Sequence, residues 1–183
     1  MPKNILYIVA HPHFDRSVAN KAIAAKVEAT GRVKRHDLYA AYPDGKIDVA
    51  KEQALLTWAD LVIFQFPFQW YSTPALLKDW QDQVLKYGFA FTLDGSPSKL
   101  RGKDVLVSLT SGGPKEAYAP AGYNRFTYAE LLRPLEQAFT LCQMNWLGHT
   151  AVGGLMVNPD EAKARDIAAQ ADELCARVAA YGR

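Results

Sequence analysis

Short apolar runs and stretches of helical periodicity alternate along this chain, and that alternation most limits how it can fold. "ILYIVA", "VKRHDLY", "DLVIFQF", "KDVLVSLTSGG" and "GHTAVGGL" read as strands. Amphipathic segments follow each of them: Val18 to Val27, "VAKEQALLTWA", "ALLKDWQDQVLKY", "YAELLRPLEQAFTLCQM" and "NPDEAKARDIAAQADELCARVAAY". Strands separated by helices pair in parallel, because each connection must cross back over the sheet. "DLVIFQF" is the most hydrophobic run, as a central strand buried on both faces should be. The expectation is one α/β domain over residues 1–183: a three-layer sandwich around a five-stranded parallel sheet in order 2-1-3-4-5.

Turn and cap chemistry places the boundaries. Ser17 stands where the first helix begins, Asp48 is positioned to cap the second, and Pro74 fits the first turn of the third, which runs to Gly88. Thr127 and Glu130 have capping-box spacing. Pro134 inside the segment they open must kink or divide that helix.

Bulk composition excludes several functions. The net charge is only +2 with no dense Lys/Arg run, so nucleic-acid binding has no support. "GRVKRH" alternates as a partly exposed strand does. Cys142 and Cys175 lie far apart without metal-ligand spacing, and read as two buried or half-buried thiols. "ILYIVA" is too short for a secretory h-region, and no run approaches a bilayer span. A cytoplasmic protein is expected.

In sheets of this order, ligands bind beyond the C-terminal strand ends, near the point where strand order reverses. "HPHFDRSVAN", "PFQWYS" and "TSGGPKEAY" are the loops gathered there. The first puts Ser17 and Asn20 at a helix start, where free N–H groups and the helix dipole attract an anion. Ser17 either adds a hydroxyl donor or simply caps the helix, and His11 either adds a ring N–H or satisfies a turn. No glycine occurs between Met1 and Thr30, which excludes a G-x-G-x-x-G dinucleotide loop, and no Walker A pattern is present. In the second loop Trp70 and Tyr71 suit a planar ring as well as they suit a core or interface, and Gln69 offers an amide to a polar ring edge. In the third, Gly112 and Gly113 allow close backbone approach and offer consecutive N–H groups. Together the three loops describe a flavin mononucleotide (FMN) site.

"AHP", "SVAN", "DLYAAYPD", "FPFQWYSTPALLKDW", "SGG", "GYNRF" and "LLRPLEQ" carry a resemblance over nearly the whole chain. The sequence resembles the flavodoxin-like NAD(P)H:quinone oxidoreductases, the group that includes DT-diaphorase. It is most similar to the short bacterial ancillary proteins of the Kef potassium-efflux systems. The resemblance implies a flavodoxin-like fold with His11, Ser17, Val18, Ala19 and Asn20 around the flavin phosphate and ribityl chain. It implies Phe68, Gln69, Trp70 and Tyr71 beside the ring, and Thr110, Ser111, Gly112 and Gly113 at its pyrimidine end. Tyr118 occupies the position of a family tyrosine that stabilises negative charge on the reduced flavin. Asn124 stands where the family has histidine; it donates a hydrogen bond but cannot act as an acid.

The implied activity is two-electron transfer from NAD(P)H through FMN, with FAD as the alternative, to a quinone-like acceptor by ping-pong kinetics. A homodimer is also implied, with Phe89 and Phe91 of "GFAFTLDG" either reaching the partner's site or packing on their own subunit. The rival expectation is a regulatory flavoprotein that binds and gates a potassium-efflux transporter, peripheral to the inner face of the cell membrane. A binding module that has lost its flavin is a third, opposed by the intact "SVAN", "FQWY" and "SGG" elements.

Overall fold

A computed structural model describes residues 3–156 and 160–182. Its five strands are β1 (Ile5–Val9), β2 (Val33–Asp37), β3 (Leu61–Pro67), β4 (Asp104–Thr110) and β5 (Asn145–Val152). All neighbours pair in parallel in the order β2-β1-β3-β4-β5, as the alternation predicts. The helices are α1 (Val18–Glu28), α2 (Leu38–Ala41), α3 (Val49–Trp58), α4 (Ala75–Val84), α5 (Tyr128–Leu131), α6 (Arg133–Leu141) and α7 (Glu161–Ala180).

Period-two alternation divides the strands between two cores. Leu6, Ile8, Phe64, Phe66 and Val107 face Leu56, Leu77, Trp80, Leu135 and Phe139 from α3, α4 and α6. Ile5, Tyr7, Val9, Ile63 and Leu106 face Ile23, Val27, Ile167 and Leu174 from α1 and α7. Phe64 anchors the first layer, stacking on Phe139 at 5.2 Å and meeting Trp80 edge-on at 5.5 Å. Below that layer Glu52 is fully buried, accepting from His36 Nε2 (2.8 Å), Tyr42 Oη (2.5 Å) and Trp80 Nε1 (2.8 Å). This carboxylate ties β2, α2's exit, α3 and α4 into one layer.

The caps act as their chemistry dictates. Ser17 and Asp48 accept N–H bonds from Asn20 and Lys51, and Thr127 with Glu130 closes a reciprocal capping box. Pro134 divides its segment into α5 and α6. Several boundaries depart from the pattern. "VKRHDLY" is strand only to Asp37, because the Asp37 side chain caps α2 and turns the chain helical. Pro74 stands at the N-cap, with the helix starting at Ala75, and α4 ends at Val84 rather than Gly88. β5 begins at Asn145, ahead of the expected Gly148. A register shift between Val105 and Val107 leaves Leu147 and Gly148 opposite Leu106, with Gly148 at φ +84°. Such a bulge interrupts the alternation that reveals a strand. The expected start of the closing helix at Asn158 and Pro159 lies outside the described residues; α7 itself is capped by Asp160.

Candidate functional site

The C-terminal ends of β3, β4 and β5 are level, with Pro67 paired to Thr110 and Thr110 to Val152, while β1 ends two residues earlier, Val9 pairing with Gln65. A cleft of about 490 Å³ opens beyond them. Its size falls in the range of small-molecule and cofactor sites.

The first wall is the start of α1. Ser17 is extended (φ −80°, ψ 111°), and its hydroxyl accepts from Asn20 N–H at 3.2 Å. The N–H groups of Val18 and Ala19 have no partner among the described residues, so two donors at the positive end of the helix remain open to an anion. His11 Nδ1 accepts the His13 backbone N–H at 3.0 Å, which places the proton of the neutral ring on Nε2. Burial, reinforced by His13, lowers the His11 pKa, favouring that neutral form. His13 and Arg16 line the same wall, and Arg16, beside Asp15 at 3.9 Å, adds an exposed positive charge.

Asn20 stands at this wall, yet only 2 % of it is exposed. Its amide nitrogen donates to Ser17 Oγ (3.0 Å) and Thr110 Oγ1 (2.9 Å), and its Oδ1 accepts from Gln65 Nε2 (3.0 Å). Gln65 Nε2 also donates to the Asn20 carbonyl at 2.8 Å, and Gln65 Oε1 accepts from the Tyr7 hydroxyl. Asn20 is thus a brace between α1, β3 and β4, and its side-chain hydrogen-bonding groups are used inside the protein.

The second wall is the exit of β3. Phe68 N–H donates to the Thr110 carbonyl at 2.7 Å, locking this loop to the end of β4. Gln69 and Ser72 exchange backbone bonds of 3.0 and 2.9 Å around a two-residue turn. Its central residues, Trp70 (φ 46°) and Tyr71 (φ 63°), are both left-handed. Such turns favour Asn and Gly, and bulky residues there carry roughly 1–2 kcal/mol of strain each. Trp70 is 93 % exposed. Phe68 and Gln69 line the cleft, whereas Trp70 and Tyr71 lie outside its lining.

The third wall follows β4. Thr110, Ser111 and Gly112 line the cleft. Ser111 Oγ donates to the Gly113 carbonyl (2.9 Å) and bonds Tyr128 Oη (2.6 Å), holding the glycine turn in shape. Gly112 and Gly113 donate no backbone N–H bond within the described residues. A Cβ on Gly112 would stand 2.7 Å from Met156 Sδ, so glycine leaves the room that the neighbouring side chain fills. Tyr118 does not line the cleft; it stacks on Tyr128 at 4.0 Å behind Gly113, and burial raises its pKa. Asn124 is also off the lining, half-buried, and accepts the Tyr71 hydroxyl at 3.0 Å.

His13, Arg16, Pro67, Leu155 and Met156 complete the lining without having been singled out in the sequence. His13 and Arg16 share a loop with His11 and Ser17. Leu155 and Met156 follow β5, and the rule that ligands sit beyond strand ends points to that loop as well. Phe89 and Phe91 pack partly buried against the core of their own chain. Cys142 is buried, which pushes its thiol up to about 11, and Cys175 is half-buried; neither is in a disulfide.

Comparison with known proteins gives three kinds of match. The family model described as "Flavodoxin-like fold" matches residues 3–178. The glutathione-regulated potassium-efflux system ancillary protein KefG of Cronobacter sakazakii is 44% identical over 143 residues, covering 78% of this chain and 77% of that protein. The crystal structure of general stress protein 14 from Treponema denticola, in complex with FMN, superposes with a TM-score of 0.87 at 34% identity, covering 97% of this chain and 98% of that one. An NADPH-quinone reductase from P. pentosaceus superposes with a TM-score of 0.78 at 32% identity, covering 93% of this chain and 96% of that one.

Proposed function

This chain belongs to the flavodoxin-like fold family, and on that premise we propose that it is an FMN-dependent NAD(P)H:quinone oxidoreductase. The observation that carries the proposal is the pair of open N–H groups at Val18 and Ala19, in a cleft that the glycine turn at Gly112 also lines. An anion donor pair and a glycine turn with open N–H groups suit a phosphate joined to a flat ring. The likeness to an FMN complex and to an NADPH-quinone reductase supports the same ligand and the same reaction.

In this reading His11 Nε2–H, Ser17 and the Val18 and Ala19 N–H groups hold the phosphate, with Arg16 and His13 adding positive charge and polarity. Asn20 keeps the helix end in place. Phe68, Gln69 and residues Thr110 to Gly113 hold the ring, with Trp70 and Tyr71 at its outer edge. FMN, when bound, would supply the redox chemistry of two-electron transfer between NAD(P)H and a quinone-like acceptor, the acceptor's second proton coming from solvent. The chain supplies position and charge stabilisation. Backbone N–H groups of Gly112 and Gly113, with the protonated phenol of Tyr118 behind them, are the donors that favour negative charge on the pyrimidine side. Asn124 does not titrate, so no general acid comes from that position. One cleft serves donor and acceptor in turn, which predicts ping-pong kinetics.

The test is an absorbance spectrum of the purified protein with FMN, taken before and after anaerobic NADPH and then NADH. Bound yellow flavin that is bleached by a nucleotide and restored by a quinone is the expected result. Protein that takes up no FMN refutes the reading. A preference for FAD over FMN would appear in the same titration.

The KefG relative favours a second role, as a regulatory flavoprotein that binds and gates a potassium-efflux transporter at the inner face of the membrane. Among the described residues no helix is long and apolar enough to cross a membrane. Co-purification with such a transporter tests this role; bound flavin that neither nucleotide reduces would make it the main one. A cytoplasmic homodimer is part of both readings, and light scattering at working concentration measures the assembly.

A further inference from the structure

Outside the cleft lining, the contact that most directly joins two of the ligand-facing loops is Tyr71 Oη to Asn124 Oδ1 at 3.0 Å, between residues far apart in the chain. Both ends of this bond lie in unusual backbone. Trp70 and Tyr71 are left-handed, and Arg125, next to Asn124, is left-handed too (φ 62°). The Asn124 segment is held from its own side: Asn124 N–H donates to the Ala117 carbonyl at 3.1 Å and Phe126 N–H to the Asn124 carbonyl at 2.7 Å. Asn124 is therefore a fixed point and the Trp70–Tyr71 turn the element it restrains. That turn begins at Gln69, which lines the cleft, and its tip carries a tryptophan that is 93 % exposed and has no core packing to hold it.

We propose that Asn124 is a positioning residue: its carboxamide oxygen latches the Tyr71 phenol, holding the strained Trp70–Tyr71 turn, and with it Gln69, in the conformation the flavin ring needs. The consequence for binding rests on the FMN reading above; the latch itself does not. Carboxamide is suitable chemistry, because its uncharged oxygen accepts the phenol O–H without titrating itself.

Five proteins test this: the unaltered chain, Tyr71→Phe, Asn124→Ala, the double variant, and Asn124→Asp, which keeps an acceptor oxygen. The Trp70 indole N–H resonance, assigned with Trp70→Phe, is read in flavin-free protein. FMN affinity is then measured by titration. Tyr71→Phe and Asn124→Ala are expected to shift the Trp70 resonance alike, and Asn124→Asp to leave it near its original position. Each single substitution should weaken FMN binding about five- to tenfold, the range of one hydrogen bond, and the double variant should be no weaker than either. An unmoved Trp70 resonance, or effects of the two substitutions that multiply in the double variant, would overturn the proposal. Absence of FMN binding by the unaltered chain would refute the cofactor reading and the affinity claim with it, while the resonance would still decide whether the latch exists.

Discussion

Replacing Asn20 by alanine removes three hydrogen bonds at once: the two from its amide nitrogen to Ser17 Oγ and Thr110 Oγ1, and the one its Oδ1 accepts from Gln65. A net contribution of about 0.5–1.5 kcal/mol for each gives a loss of about 3 kcal/mol. The orphan penalty stays small, since Gln65 Nε2 keeps the Asn20 carbonyl and Ser17 Oγ keeps the Asn20 N–H. For a chain of 183 residues that loss corresponds to a fall in Tm of roughly 6–12 °C. The assay is urea unfolding of flavin-free protein, read as a shift in midpoint at unchanged slope. Asn20→Asp separates the brace from a direct phosphate contact. A carboxylate at a site only 2 % exposed loses both amide donors and adds a buried charge, so it too should destabilise the flavin-free protein. A loss below about 1 kcal/mol in Asn20→Ala without flavin, accompanied by weaker FMN binding, would refute this reasoning. Asn20 would then act on the phosphate itself.

Three further outcomes are expected. Burial opposes the charge on Glu52, but hydrogen bonds from His36, Tyr42 and Trp80 outweigh it and hold its carboxyl below the usual carboxylate range. A depressed carboxylate stabilises the fold above its unfolded pKa of about 4.3 and loses that contribution as pH falls through the folded value. The urea midpoint should therefore drop on acidification from about pH 5 downward, and Glu52→Gln should flatten that limb; equal acid limbs in the two proteins would contradict it. Gly153→Ala places a Cβ 2.6 Å from the Gly113 carbonyl and 2.8 Å from Lys115 N, both backbone atoms. Calorimetry should show a loss of about 2 kcal/mol, with weaker FMN binding as the glycine turn is displaced. Trp70→Gly removes an exposed ring from left-handed backbone, and should raise flavin-free stability by about 0.5 kcal/mol. A loss of more than about 1 kcal/mol instead would show that Trp70 is packed.

The sheet order, the two layers of helices, the caps at Ser17, Asp48 and Thr127, and the division at Pro134 were legible in the residues themselves. Strand alternation, helical periodicity and cap chemistry are short-range: each depends on neighbours within a few positions, and so each is written locally. The three loops could be placed together once the alternation was matched to a doubly wound fold, whose strand order gathers them at one edge of the sheet. Boundaries failed where local geometry breaks its own period, as at the Gly148 bulge and at the Asp37 cap that converts strand into α2. Tertiary structure alone decided what each loop residue does. Asn20, expected beside a phosphate, also braces α1 against β3 and β4, because its partners are Gln65 and Thr110, 45 and 90 positions away. Tyr118 moves behind Gly113 because Tyr128 offers it a stacking face. Asn124 meets the Tyr71 hydroxyl because the fold brings the two together across 53 positions. A polar side chain satisfies whichever donor or acceptor the fold delivers, and that delivery depends on contacts far apart in sequence that no local pattern records.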